Sequence, residues 1–213
     1  KFKNRKLARG NNRKKGSFFK IGNEDIKLID LPGIYNLSIN TPEERVSRDF
    51  LLNEKVDVII NVMDSTSLEK NIYLTALLKE LGIPIVMALN FEDEFKRIGY
   101  KLDIERFQKQ LGIPVVFTSG KSGNGVDKLM EKVVEISKQT SSEHKQNRLL
   151  FDKEIESNIE TLKNKLKNEK SYEKMLEKYS ADWLVIKILE NDTNVMARVK
   201  NEFGINLLDV GSL

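Results

Sequence analysis

The chain has 213 residues, 39% of them hydrophobic and 32% charged, which is enough apolar content for a packed core in one large or two small domains. It holds no cysteine, which excludes a disulfide framework and thiolate metal sites, and its one histidine, His144, lies in a polar stretch without convergent metal donors. The formal charge of +4 sits at one end: eight of the 36 basic residues fall within positions 1–15, which carry no acid, so the other 28 face 32 acidic residues and no basic nucleic-acid-binding face is expected on the body.

From Ser17 onward, short β-branched and aromatic runs alternate with amphipathic helical patterns, the signature of an α/β fold with a mostly parallel sheet. Strands are expected at Ser17–Ile21 and Asp25–Asp30, joined by a hairpin turn at Gly22-Asn23-Glu24. Buried strands follow at Val56–Asp64, Ile83–Asn90 and Ile113–Ser119. Helices are expected near Pro42–Glu54, Leu68–Leu81, Asp103–Leu111 and Asp127–Ser137. A polar linker at about Lys138–Gln146 leads into a helix-only region with two apolar stripes. The first is Phe151, Ile155, Ile159, Leu162 and Leu166, and the second is Trp183, Leu184, Ile188 and Leu189. No run reaches the roughly 18 apolar residues of a membrane helix, and no leader pattern opens the chain, so a soluble segment is expected.

Ligands of open α/β sheets bind at the carboxyl ends of strands, and three such ends carry suggestive residues. Asp30-Leu31-Pro32-Gly33 places an aspartate that could hold Mg2+ through water and a glycine amide that could face a terminal phosphate. Asn90-Phe91-Glu92-Asp93 ends a strand with a carboxylate able to accept two hydrogen bonds from N1 and N2 of guanine, donors that adenine lacks. Thr118-Ser119-Gly120-Lys121 offers a backbone amide for the guanine carbonyl. Each has a bland alternative: a frequent four-residue pattern, a helix cap or a plain turn. Their order and their common place at strand ends favour a guanine-nucleotide fold.

Asp30 through Ser38, followed by Pro42-Glu43-Glu44-Arg45-Val46, resembles the second switch of the ferrous iron transport protein B family. The likeness continues through Val56–Asp64, Leu68–Thr75 and Gly82–Asn90, and Trp183–Glu190 is similar to the family's helical domain. The resemblance implies a P-loop GTPase-like sheet followed by a small all-α domain, with GTP or GDP and Mg2+ as ligands and Asp30 reaching the ion through water. It further implies a membrane permease domain in the same parent chain, a place on the cytoplasmic face of the bacterial inner membrane, slow hydrolysis because Ile34 stands where a glutamine would orient water, and self-association left open. Phe91 replaces the lysine found there in many GTPases, so the base would pack on an apolar surface.

One departure is larger. No G-x-x-x-x-G-K-[ST] occurs in the 213 residues, and the strand that would carry it, together with the first-switch threonine, is absent. With suitable codons, Lys1–Lys15 read from the second base becomes Asn-Ser-Lys-Ile-Gly-Asn-Trp-Pro-Gly-Val-Thr-Ile-Glu-Arg-Lys, which resembles the family's first switch. The expected division is therefore an aberrant, frameshift-derived basic segment at 1–15, a G-domain remnant at 16–138 and a helical domain at 147–213. The expected activity is a GTP-binding domain of an iron transporter that is defective and inactive as written. A nucleotide-free, degenerate α/β binding module is the alternative.

Overall fold

In the computed structural model, residues 5–6, 15–37, 41–139 and 151–211 are described. His144 and most of the expected linker and basic segment lie outside them. The chain divides into two compact units: residues 1–78 with 83–147, and residues 79–82 with 148–213.

The first unit is α/β. Strands β1 (Arg5–Lys6), β2 (Lys15–Ile21) and β3 (Glu24–Asp30) form an antiparallel sheet, with Ser17 opposite Leu28 and Ile21 opposite Glu24 across the expected hairpin. The short β1, which no sequence pattern announced, pairs Arg5 with Phe18. Strands β4 (Ile59–Asp64), β5 (Ile85–Asn90) and β6 (Val115–Phe117) form a second, parallel sheet in which β5 is central. Among the described residues the two sheets remain separate, so β3 and β4 are both edges.

Helix α1 (Pro42–Asn53) begins with a full capping box: the Glu44 amide donates to Thr41 Oγ1 at 3.2 Å and the Thr41 amide donates to the Glu44 carboxylate at 3.3 Å. Proline at its first position suits a turn whose amides lack helical partners. Helices α2 (Leu68–Glu80), α3 (Glu92–Ile98), α4 (Ile104–Leu111) and α5 (Val126–Ser137) follow. Residues Ile85–Leu89 are all buried, which accounts for the unbroken apolar run, because a central parallel strand is covered on both faces. Val86, Ala88 and Val116 pack against Leu129, Val133 and Ile136 of α5, so this helix closes one face of the parallel sheet. Polar Asn61 is tolerated within the buried part of β4 because its amide donates to Thr75 Oγ1 at 2.9 Å.

The second unit is helical: α6 (Lys153–Asn168), α7 (Glu173–Lys178), α8 (Ala181–Leu189), α9 (Thr193–Phe203) and α10 (Leu208–Gly211), with the end of α2 grouped here. Ile159, Leu162, Leu166, Trp183, Leu184 and Ile188 are buried as their spacing predicts. Ile155 and Leu189 belong to the same predicted stripes but remain 38% and 41% exposed, so each stripe is narrower than the count of apolar residues suggests. Lys187 is buried and donates to Glu80 at 2.8 Å and to Glu190 at 2.6 Å. One cation thus serves two carboxylates. Burial pushes the Glu80 carboxyl up, outweighing the Lys187 hydrogen bond. For Lys187, burial pulls downward, but hydrogen bonds to Glu190 and Glu80 hold it above its ordinary value.

Candidate functional site

The residues expected to read a base come together at the carboxyl end of the parallel sheet. Asn90 is the last residue of β5, and Phe91 then turns the chain with φ 64°, a left-handed conformation that side chains other than glycine seldom adopt. That turn starts α3 immediately, placing Glu92 and Asp93 in its first turn, where the exposed amides favour negative charge. The Phe91 ring is left 52% exposed beside the strand end.

The loop 118–125 approaches from the neighbouring strand. The Thr118 amide donates to Leu89 O at 2.8 Å, and the Glu92 amide donates back to Thr118 O at 3.1 Å. Ser119 Oγ donates to Asp93 Oδ2 at 2.6 Å, and the Gly120 amide donates to Asn90 Oδ1 at 2.9 Å. The short O–H to carboxylate bond is charge-assisted and takes one lone pair of Asp93 Oδ2, leaving the other lone pair of that oxygen and all of Oδ1 for a ligand. Ser119 is buried, Asp93 is exposed, and Gly120 and Lys121 lie at the surface. A carboxylate held in this way can accept two parallel hydrogen bonds from adjacent N–H groups of a purine edge.

Two residues of this loop carried no signal in the sequence. Asn124 donates from its side-chain amide to Glu92 Oε2 at 2.7 Å, while its backbone carbonyl accepts from the Ser119 amide at 3.0 Å. Gly125 has φ 75°, and a Cβ there would meet Phe117 O at 2.0 Å. Only glycine permits the loop to pass so close to the end of β6. A Gly-Asn-Gly stretch reads as a generic turn, so nothing in one sequence distinguishes this asparagine from a solvated one. The Glu92 carboxylate, expected to face the ligand, is instead taken up by Asn124 and by Lys96, which lies 2.6 Å from Oε1. On the outer side of α3, the Arg97 guanidinium beside Glu94 holds that carboxyl below its usual range.

Asp30, Leu31, Pro32 and Gly33 stand apart from this cluster, at the end of the antiparallel sheet. Asp30 and Gly33 are exposed, Leu31 and Pro32 half-buried, and Pro32 O accepts from Ser47 Oγ of α1 at 3.3 Å. Among the described residues no group of three histidines, cysteines or carboxylates is placed to hold a metal ion. Asp30 would supply one water-mediated contact to a Mg2+ ion whose other ligands come from nucleotide phosphates and water.

The family model described as ferrous iron transport protein B matches residues 10–133, and a second, the FeoB cytosolic helical domain, matches residues 151–209. The chain belongs to the ferrous iron transport protein B family. It is 37% identical over 179 residues to the Fe(2+) transport protein A/Fe(2+) transporter FeoB fusion protein of Porphyromonas gingivalis, covering 84% of this chain and 21% of that protein. The chain thus spans about a fifth of the length of this curated relative. The cytosolic domain of the Thermotoga maritima (T. maritima) FeoB iron transporter in a GDP form superposes with a TM-score of 0.76 at 30% identity, covering 96% of this chain and 77% of that one. NFeoB from S. thermophilus bound to GDP.AlF4- and K+ gives a TM-score of 0.74 at 36% identity, covering 87% and 69%. The two units correspond to the family's G domain and helical domain, and no helix among the described residues is long and apolar enough to cross a membrane.

Proposed function

We propose that these residues form the guanine-nucleotide-binding region of a ferrous iron transporter in which the half of the site that reads the base is built and the half that cradles phosphates is missing. The observation that supports this reading is the pairing of Ser119 with Asp93 at 2.6 Å and of Gly120 with Asn90 at 2.9 Å, which ties the 118–125 loop to the end of β5 and the first turn of α3, next in the chain to the exposed Phe91. In this arrangement Asp93 accepts from N1 and N2 of guanine, the base packs on Phe91, and the loop at Ser119-Gly120-Lys121 meets the guanine carbonyl.

Phosphates are another matter. Most contacts to a nucleotide's phosphates come from a glycine-rich loop at a helix N-terminus, and the 213 residues contain no such motif. Asp30 and Gly33 would attend a terminal phosphate and its Mg2+, but both depend on a nucleotide that the missing loop would hold. The 213-residue chain therefore binds GTP poorly and does not hydrolyse it, whereas a parent carrying the loop binds Mg·GTP or GDP. The relatives' transporter names support a parent that carries ferrous iron, and in that parent GTP state is coupled to iron passage through a membrane permease domain at the cytoplasmic face of a bacterial membrane. The basic segment Lys1–Lys15 is assigned to a one-base frameshift, which sequencing the DNA across those codons tests directly.

The binding test is a titration of the chain with guanosine, GTP with Mg2+, and adenosine, followed by amide chemical shifts. The expected result is weak binding of guanosine and GTP with similar affinity, shifts at Asp93, Ser119 and Gly120, and no response to adenosine. Tight, Mg2+-dependent GTP binding would overturn the missing-cradle reading. No response to any guanine compound would favour the nucleotide-free module.

A further inference from the structure

Asn124 stands where the two halves of the base-reading site are joined. Four bonds fasten the start of the 118–125 loop to β5 and to α3: Thr118 N–H to Leu89 O at 2.8 Å, Glu92 N–H to Thr118 O at 3.1 Å, Ser119 Oγ to Asp93 at 2.6 Å, and Gly120 N–H to Asn90 at 2.9 Å. Asn124 fastens the far end. Its side-chain amide donates to Glu92 Oε2 at 2.7 Å, and its backbone carbonyl accepts from the Ser119 amide at 3.0 Å. The same residue therefore grips α3 and holds the backbone of the serine that fixes Asp93.

The acceptor is well placed for such a role. The Glu92 side chain is only 13% exposed, whereas its partners Asn124 and Lys96 both lie at the surface, so a largely covered carboxylate is held from outside by one neutral amide at 2.7 Å and one solvent-screened lysine. Removing the donor leaves one Glu92 oxygen without its loop partner and frees the far end of the loop from α3, which favours movement of the loop or of the α3 first turn. Either movement shifts Ser119 relative to Asp93.

We propose that the Asn124–Glu92 hydrogen bond is a positioning latch that sets base selectivity by holding Ser119, and through it the Asp93 carboxylate, in the alignment that accepts both N1–H and the 2-amino group of guanine. The proposal rests on the guanine reading above. Asn124 and Glu92 touch no ligand themselves. They act through Ser119 and Asp93.

The test uses the 213-residue chain with guanosine and inosine as probes, since inosine lacks the 2-amino group and makes one of the two bonds. Asn124→Asp sets two carboxylates against each other and breaks the latch. Asn124→Asp combined with Glu92→Gln rebuilds it with donor and acceptor exchanged. The ratio of guanosine to inosine affinity, measured by chemical-shift titration, is expected to fall about tenfold in the single variant, the scale of one hydrogen bond to a charged group, and to recover in the double variant. A thermal melt run alongside separates this from general loosening: a purely structural bond lowers the melting temperature and leaves the ratio unchanged. An unchanged ratio in Asn124→Asp, or a ratio that stays low in the double variant, overturns the latch alone. If the unaltered chain does not distinguish guanosine from inosine, the guanine reading falls and the latch falls with it.

Discussion

Phe91 combines an apolar, half-exposed ring with a left-handed backbone at φ 64°, a pairing that favours neither solubility nor stability. Conformations of this kind cost about 1–2 kcal/mol for residues with a Cβ and cluster where geometry serves a ligand. Phe91→Gly should therefore raise the stability of the first unit by about 1 kcal/mol, read as a shift in urea midpoint by circular dichroism, while weakening guanosine binding in the same preparation. Opposite signs mark strain kept for function, and a loss of both marks a packing role. Gly125→Ala should act in one direction only, because its Cβ would sit 2.0 Å from Phe117 O, and a destabilisation of at least about 2 kcal/mol is expected by the same measurement. At this scale the sequence was informative about Asn90, Asp93, Ser119 and Gly120, whose residue types suit the chemistry at strand ends. It was silent about Asn124 and Gly125, whose importance comes from a backbone approach and a contact 32 residues away in sequence.

Secondary-structure elements were legible wherever burial imposed a period. The central strand β5 and helices α1, α2, α4 and α5 appear where runs and stripes placed them, within a few residues. Helix α3 went unread because Glu92–Ile98 buries only Phe95, leaving no stripe, and because its acidic first turn looks like a cap. The strand expected from Val56 begins only at Ile59, after the turn region around Asp57. Within the helical unit, the Lys187 pairing gives a pH-dependent prediction. Lys187→Met leaves Glu80, whose side chain is 7% exposed, without its cation, and at neutral pH a loss of about 3 kcal/mol is expected, followed by fluorescence of the buried Trp183. Glu80 already has its folded-state pKa raised, so the protonated form is the one the fold prefers. In the variant this preference strengthens. The loss should be smallest below the ordinary carboxylate range, where Glu80 is protonated in both states, and should grow as pH rises through the raised folded pKa. A loss that does not vary with pH would assign the effect to packing of the lysine stem.

Among the described residues of the first unit, the division into two three-stranded sheets leaves β3 and β4 as edges, and Val62 on β4 is 63% exposed although parallel strands are ordinarily covered on both faces. Unprotected edges with outward apolar side chains template self-association. Val62→Lys should therefore reduce aggregation of the chain at high concentration, measured by static light scattering, with guanosine binding and the helical unit unaffected. Equal scattering from both proteins would place the association surface elsewhere. The α/β character and the helix-only second unit were legible from periodicity and motif order. The antiparallel pairing of Arg5–Lys6 was not, since two residues in a basic run carry no strand pattern.

The base-reading cluster also has a temporal consequence. Every bond that builds it, from Asn90 to Gly120, from Asp93 to Ser119 and from Glu92 to Asn124, closes within one uninterrupted stretch between β5 and the start of α5. No residue of the helical unit from position 148 onward takes part in these bonds. Because domains form from the amino terminus as the chain is made, the candidate base-reading cluster can be assembled on the ribosome while the helical unit is still being translated.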